Sequence, residues 1–381
     1  VTTVTRSAAR FVTTLLAAAA LLPLAGPASA APTTANAPAD RAALQQALGQ
    51  LVADGIPGVT AEVRDGAGTW RGTSGVADLA DGQPAAAQDR FRVGSVTKSF
   101  VATVVLQLVT EGRIGLDDPI DRDLPGVVAN GQHITVRQLL NHTSGLYDYL
   151  NVVMSQPDPI RTARTAGYTP QDLIALSAAH SPQFAPGTSW AYSNTNYVVL
   201  GLLVEHLTGR PLGEEITRRI VRPLHLRDTS FPTTAQLSGP HLDGYEWLDG
   251  PAAAPTDLTE FSPSAIWGAG TMISTADDLS RFYRALFAGA LLPQDLLNQM
   301  RTPHPIDDSG RAYGLGLESR TYCSGTPAWG HSGSVAGYET FSFTTADGAR
   351  QITLALNRNL TASPKADDDI NRVLTLGLCN S

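Results

Sequence analysis

The spacing of apolar residues changes period several times along the chain, and each change marks an element. An amphipathic helix is predicted over about 41–53, with Asp40 as its cap. The period then drops to two: Val59, Ala61 and Val63 alternate with Thr60, Glu62 and Arg64. Asp65-Gly66 follows, and a second extended run spans 69–76, which together predict an antiparallel hairpin. Helical spacing returns at Val101, Val104, Val105, Leu108 and Val109 and runs to Gly112. Gly94 and Ser95 lead into this helix, whose valines are expected to pack on the hairpin.

From Leu116 to Thr271 the helical period dominates, with start signals at Thr135-Val136-Arg137-Gln138 and Thr169-Pro170. A further helix is predicted from near Asn194 to Gly209, with Pro211 beyond it. Ser274 or Thr275 caps another that reaches about Ala288, with Asp277 and Asp278 in its first turn. Alternation then resumes. Runs over 338–345 and 350–356 flank Asp347-Gly348 as a hairpin, preceded by a strand carrying Trp329-Gly330-His331-Ser332-Gly333-Ser334. A helix over about 367–376 closes the chain on the sheet. The pattern is α+β: one domain over 40–381, with an antiparallel sheet and flanking helices from 40–115 and 272–381 and a mostly helical insert over 116–271.

The beginning of the chain reads differently. Arg6 and Arg10, an apolar run from Phe11 to Leu24 and Ala28-Ser29-Ala30 form the pattern of a secretory signal peptide over 1–30, followed by a flexible leader over 31–39. A secreted, extracellular protein is therefore expected. The apolar run falls short of the ~20 residues of a membrane span. Without the two leader arginines the formal charge moves from -8 to about -10, which argues against nucleic acid and anionic lipid as partners. Cys323 and Cys379 are the only cysteines, and an even pair in an exported chain predicts a disulfide. No H-E-x-x-H, C-x-x-C or phosphate-cradling glycine loop occurs, so no metal or nucleotide cofactor is expected. A monomer is expected.

Of 27 basic residues only two are lysines, Lys98 and Lys365. Arginine cannot give up its proton near neutral pH, whereas a buried amine can, so Lys98 stands where lysine chemistry is required. Ser95 and Lys98 are three apart at the head of the Val101–Val109 helix and share a face. Free N–H groups of the first turn favour a developing negative charge there. A lone S-x-x-K is more often a cap beside a solvated charge, and other segments decide the matter. Tyr192 and Asn194 follow a Pro186-Gly187 turn, an odd place for buried polar groups unless they act on a substrate. His142, in the turn Leu139–Leu146, is read as a turn-stabilising residue ahead of a catalytic one. The glycines around His331 let a ligand backbone approach the strand, and its hydroxyls offer hydrogen bonds along an exposed edge.

Taken in order, Ser95-x-x-Lys98, Tyr192-x-Asn194 and His331-Ser332-Gly333 resemble the three motifs of the penicillin-recognising serine enzymes: DD-peptidases, class C β-lactamases and related esterases and D-aminopeptidases. Phe184-x-Pro-Gly, Ser274-Thr275-Ala276-x-x-Leu279 and Tyr313-Gly-Leu-Gly-Leu317 extend the resemblance over nearly the whole chain. Val93–Phe100 and Tyr192–Asn196 look most like the exocellular actinomycete D-alanyl-D-alanine carboxypeptidases. The resemblance implies the DD-peptidase/β-lactamase fold, with the active site in a cleft between sheet and helical part. It implies that Ser95 is acylated and that Lys98 and Tyr192 manage its proton, either being the acylation base. Asn194 then holds the substrate amide, and His331 sits where many relatives carry lysine. Backbone N–H groups of Ser95 and Ser334 form the oxyanion hole, and Ser332, Gly333, Trp267 and Arg320 join the substrate contacts. Where such carboxypeptidases place an arginine for the substrate carboxylate this chain has Glu318, with Arg320 two residues on. The implied activity is a D-Ala-D-Ala carboxypeptidase acting on peptides ending in D-amino acids and acylated by β-lactams. The alternatives are a class C-like β-lactamase, or an esterase or D-stereospecific aminopeptidase.

Overall fold

The computed structural model describes residues 39–307, 309–323, 325–359 and 364–379. The segments 1–30 and 31–39, expected to be a signal peptide and a leader, lie outside them except for Ala39. Contact within the chain gathers the described residues into one compact unit.

Eight antiparallel strands make the main sheet: β1 (Gly58–Asp65), β2 (Gly68–Gly75), β3 (His304–Pro305), β4 (Ala312–Tyr313), β5 (Glu318–Cys323), β6 (Thr326–Val335), β7 (Tyr338–Thr345) and β8 (Gln351–Leu356). Their order across the sheet is β2-β1-β8-β7-β6-β5-β4-β3. The first and last hairpins therefore meet in the middle, Val59 opposite Leu356 and Val63 opposite Ile352.

One face is covered by α1 (Arg41–Ala53) and the last helix of the chain, Pro364–Leu378. Leu44, Leu48 and Leu51 from the first and Ile370, Val373 and Leu374 from the last bury against Val59, Ala61, Val63, Leu354 and Phe343. Asp40 caps α1 as expected, accepting from the N–H groups of Ala42 and Ala43. This face corrects one expectation. The valines of α2 (Thr97–Thr110) do not pack on the first hairpin, because the apolar face of that hairpin is turned toward the terminal helices. Instead α2 is buried in a second cluster on the opposite side, where Phe100 stacks on Phe282 with ring centres 3.8 Å apart. Phe282 belongs to the helix Ala276–Phe287, which Thr275 caps through the Asp278 N–H. Its Ser280 meets Thr353, which alternates with Ile352 and Leu354 and so faces this second side.

Between Leu116 and Thr271 helices prevail. In chain order they include α3 (Val136–Leu140), α4 (Tyr149–Met154), α5 (Pro170–Ala178), α6 (Asn194–Thr208) and α7 (Trp267–Gly270). Thr135 with Gln138, and Thr169 with Asp172, close reciprocal capping boxes at α3 and α5, each worth about 1 kcal/mol. The helix 276–287 follows as α8, then α9 (Gln294–Met300), and the last helix is α10. No helix among the described residues is long and apolar enough to cross a membrane.

The sheet leaves part of one strand paired on one side only. Strand β5 pairs with β6 only as far as Gly330, opposite Glu318, so the segment 331–335 of β6 turns an open edge toward the head of α2. Cys323, at the end of β5, is bonded to Cys379 just after α10, with Cα atoms 5.4 Å apart.

Candidate active site

Ser95 lies in a single 3-10 turn, Gly94–Val96, that feeds directly into α2. Gly94 adopts φ +52°, a left-handed conformation, and a side chain there would come 2.7 Å from the Ser334 nitrogen. Equally, a Cβ on Gly333 would lie 1.9 Å from the Val93 carbonyl oxygen and 3.0 Å from the Ser95 nitrogen. Only this pair of glycines lets the open edge of β6 and the turn before α2 meet backbone to backbone. The N–H groups of Ser95 and Ser334 consequently lie at one seam, the arrangement an oxyanion hole requires.

Lys98 is fully buried, its Nζ 3.0 Å from Ser95 Oγ, 2.8 Å from Asn194 Oδ1 and 2.7 Å from the Ala269 carbonyl. Asn194 and Ala269 can only accept at those atoms, so they occupy two N–H groups of the amine. The third position, proton or lone pair, faces the serine. Burial, partly offset by Asp148 and Glu318, brings Lys98 from 10.5 down to about 7. At neutral pH a large share of the amine is therefore free to take the Ser95 proton.

Tyr192 sits on the loop before α6, its ring centre 4.9 Å from Lys98 Nζ. Burial pushes its phenol well above the ordinary range, opposed by a hydrogen bond with Ser95, so it faces Ser95 as a neutral hydroxyl. His142 lies behind it. The two rings are 4.3 Å apart, and His142 Nδ1 accepts from the Ser193 N–H and faces Asn196 Nδ2 at 3.0 Å. His142 also holds a left-handed φ of +64°, so its part is to fix the turn and the Tyr192 loop.

Asn194 uses its oxygen on Lys98 and donates from Nδ2 to Asp148 Oδ2 at 3.0 Å, which leaves one N–H for a substrate. Asp148 was not among the expected site residues. It caps α4, is buried, and lies one side chain from the Lys98 amine, where its charge favours the ammonium form. A cap signal two residues beyond the Leu139–Leu146 turn was legible, but that signal reads equally as a purely structural cap.

On the open edge, His331 is fully buried and points toward Tyr313, with Nε2 2.8 Å from the phenol oxygen. Its Nδ1 faces two acceptors, the Ser332 carbonyl at 2.5 Å and Glu318 Oε1 at 3.3 Å, so Nδ1 carries the proton and Nε2 accepts from Tyr313. Burial, outweighing the pull of Glu318, lowers His331 to about 4. The imidazole is therefore neutral at pH 7.

Glu318 Oε1 accepts from the Ser332 hydroxyl at 2.8 Å, while Oε2 receives Arg320 Nε at 2.9 Å and Nη2 at 2.6 Å. Arg320 also donates to Ser332 Oγ at 2.7 Å. Burial opposes ionisation of Glu318, yet His331, Arg320 and the Ser332 hydroxyl together hold its carboxyl below the ordinary value. Arg320, expected to meet a substrate carboxylate, thus already pairs with a carboxylate of the protein through Nε and Nη2. Trp267 is partly exposed. Its ring end packs over Gly201 of α6, where an added Cβ would approach to 2.7 Å, so the side chain anchors α7 and hence the Ala269 carbonyl. Ser334 is exposed beside the seam, its Oγ receiving Asn359 Nδ2.

The family model described as Beta-lactamase matches residues 44–377. The chain belongs to the beta-lactamase family. A D-stereospecific amidohydrolase from a Streptomyces species superposes with a TM-score of 0.81 at 41% identity, over 90% of this chain and 99% of that one. The D-amino acid amidase of Ochrobactrum anthropi SV3 gives 0.79 at 30% identity, over 88% and 97%. Penicillin-binding protein 4* of Bacillus subtilis is 27% identical over 74% of this chain, which spans 64% of that relative's length. Within this beta-lactamase-family fold the site brings two groups together, the Ser95–Lys98–Tyr192 centre and the Glu318–Arg320–Ser332 group at the open edge of β6.

Proposed function

We propose that this protein hydrolyses amides of D-amino acids, with Ser95 as the nucleophile, in preference to peptides ending in a free D-alanine carboxylate. One observation carries the choice: the cradle that could grip a carboxylate, the Arg320 guanidinium with the Ser332 hydroxyl, already holds Glu318. A substrate that leaves as ammonia or a neutral amine needs no such cation, whereas a terminal carboxylate would approach Glu318 against like charge. Likeness to the Streptomyces D-stereospecific amidohydrolase and the Ochrobactrum D-amino acid amidase supports the same reading.

In this reading neutral Lys98, with Tyr192 beside it, accepts the Ser95 proton as Oγ attacks the amide carbon. The carbonyl oxygen gains its charge between the N–H groups of Ser95 and Ser334. The C–N bond then breaks, and the nitrogen leaves with the proton returned from Lys98 or Tyr192. Water attacks the resulting ester by the same route in reverse, releasing the D-amino acid. Asn194 steers the substrate with its remaining N–H. Export and a monomeric state belong to the proposal, the former supported by the Cys323–Cys379 bond.

Steady-state hydrolysis of D-phenylalanine amide, L-phenylalanine amide, a D-Ala-D-Ala peptide and a simple phenyl ester tests it. The expected order places the D-amide well above its L-isomer and above the peptide. A peptide rate exceeding the D-amide rate would return the assignment to a carboxypeptidase.

A further inference from the structure

At the end of the sheet remote from Ser95, a cavity of about 450 Å³ is lined by Arg64, Arg284, Arg301, Thr344 and Gln351. Arg64, Gln351 and Thr344 form one row across β1, β8 and β7, since Gln351 is in register with both of the others. Arg284 comes from the last turn of α8, and Arg301 follows α9. Counting residues along β6 puts the row roughly 17 Å from the level of Ser334, five residues at about 3.4 Å each.

Among the described residues none of these three guanidiniums meets a carboxylate at ion-pair distance. Arg64 reaches Thr69 Oγ1 at 3.4 Å, and Arg301 the Ala346 carbonyl at 3.4 Å, with its guanidinium 5.9 Å from the centre of the Phe287 ring. One turn earlier on α8, by contrast, Arg281 pairs with Asp277 at 2.6 Å. The carbonyl end of α8 accounts for one cation there but not for three. Asp347, on the cavity rim, has Oδ1 committed to the Thr345 hydroxyl at 2.6 Å and the Ala349 N–H at 3.0 Å. A second observation is independent of charge. Thr344 is 3% exposed, and its hydroxyl has no hydrogen-bond partner among the described residues. A buried hydroxyl left empty-handed costs stability unless something answers it.

We propose that this cavity binds a phosphate group carried on a small organic molecule. Three guanidiniums and a hydroxyl offer more donors than the two oxygens of one carboxylate can accept, whereas a phosphate monoester presents three oxygens and close to two charges. The volume exceeds what one inorganic phosphate fills, so the organic body occupies the part of the cavity lined by Phe287 and Ala288. The cavity lies apart from the amide-cleaving centre, and the proposal stands whichever substrate Ser95 takes.

Isothermal titration calorimetry at constant ionic strength tests it, with inorganic phosphate, glucose 6-phosphate, glucose and acetate as probes. Saturable binding is expected for both phosphates, tighter for the ester, and none for glucose or acetate. Arg284→Gln and Arg301→Gln should each weaken it about tenfold, while Arg113→Gln, on an exposed arginine elsewhere, should not. Thr344→Val supplies a readout of another kind: a higher melting temperature than the parent without phosphate and a smaller gain when phosphate is added. Melting curves of the arginine variants establish that they are folded. No saturable binding of either phosphate, or equal weakening by Arg113→Gln, overturns the proposal.

Discussion

Oε1 of Glu318 sits 2.8 Å from the hydroxyl of Ser332. The protein thereby supplies its own carboxylate to the position where the open edge of β6 and the Arg320 guanidinium would grip one from solution. Removing that charge while keeping the shape should change what the site accepts. In Glu318→Gln the KM for a peptide ending in free carboxylate should fall about tenfold or more, as a charge-assisted hydrogen bond of about 1.5–3 kcal/mol becomes available. The D-amide kcat should change far less. Benzylpenicillin, which also carries a carboxylate, should acylate Ser95 slowly in the parent and faster in the variant, as mass spectrometry of the intact protein would record. Equal rates in the two proteins would remove Glu318 from substrate choice.

Lys98→Arg should be nearly as damaging as Lys98→Ala, each lowering acylation about 10²–10⁴-fold, the range ascribed to a general base. A guanidinium keeps the charge but cannot take the serine proton. Burst kinetics with a chromogenic ester separate acylation from deacylation. An arginine variant within a few fold of the parent would reduce Lys98 to an electrostatic support.

The pH profile has a defined sign. The base must be unprotonated, so kcat/KM should rise with pH through about 7, where Lys98 titrates, and fall away below it. His331, lowered to about 4, should leave no inflection in that range. Asp148 favours the ammonium form of Lys98, so Asp148→Asn should move the acid limb to lower pH. The amide oxygen introduced by that substitution can accept from Asn194 but then gives up the capping bond from the Leu150 N–H, so a melting curve must accompany the profile. A limb that stays put in the variant would detach Asp148 from the amine.

No thiol should titrate in the denatured, unreduced protein, because Cys323 is bonded to Cys379. Closing a loop with a sequence separation of 56 restricts the unfolded chain by about 4 kcal/mol in the chain-entropy model, which is an upper figure. Cys323→Ser with Cys379→Ser should therefore lower stability to denaturant by up to that amount while leaving Ser95 reactive.

Much of this was legible in the amino-acid order, and the limits were physical. Ser95 and Lys98 are neighbours on one turn, so their contact follows from helical spacing alone. The capping boxes at Thr135 and Thr169 and the hairpin at Asp347-Gly348 are likewise local. What the order could not show is which face each apolar stripe meets. The alternation of Val59, Ala61 and Val63 is clear, yet whether α2 or the terminal helices cover it depends on strand order. The same holds for Glu318 and Arg320. Two residues apart, they share a strand face, but only the open β6 edge makes Ser332 their common partner and turns a candidate substrate contact into an internal ion pair. Asp148 escaped notice because a capping aspartate looks the same whether or not a catalytic amine lies one side chain away.

The seam between Gly94 and Gly333 has a consequence for the order of events during synthesis. Its two sides come from opposite ends of the chain, and Lys98 takes further partners from α6 and α7, 96 and 171 residues on. A nascent chain that has emerged only through the helical insert carries the nucleophile without the N–H of Ser334 or the edge that presents a substrate. Such a chain is chemically silent. Activity arrives as one late step, when β6 docks against the head of α2, so that acylation of Ser95 by a small ester can serve as a time stamp for completed folding.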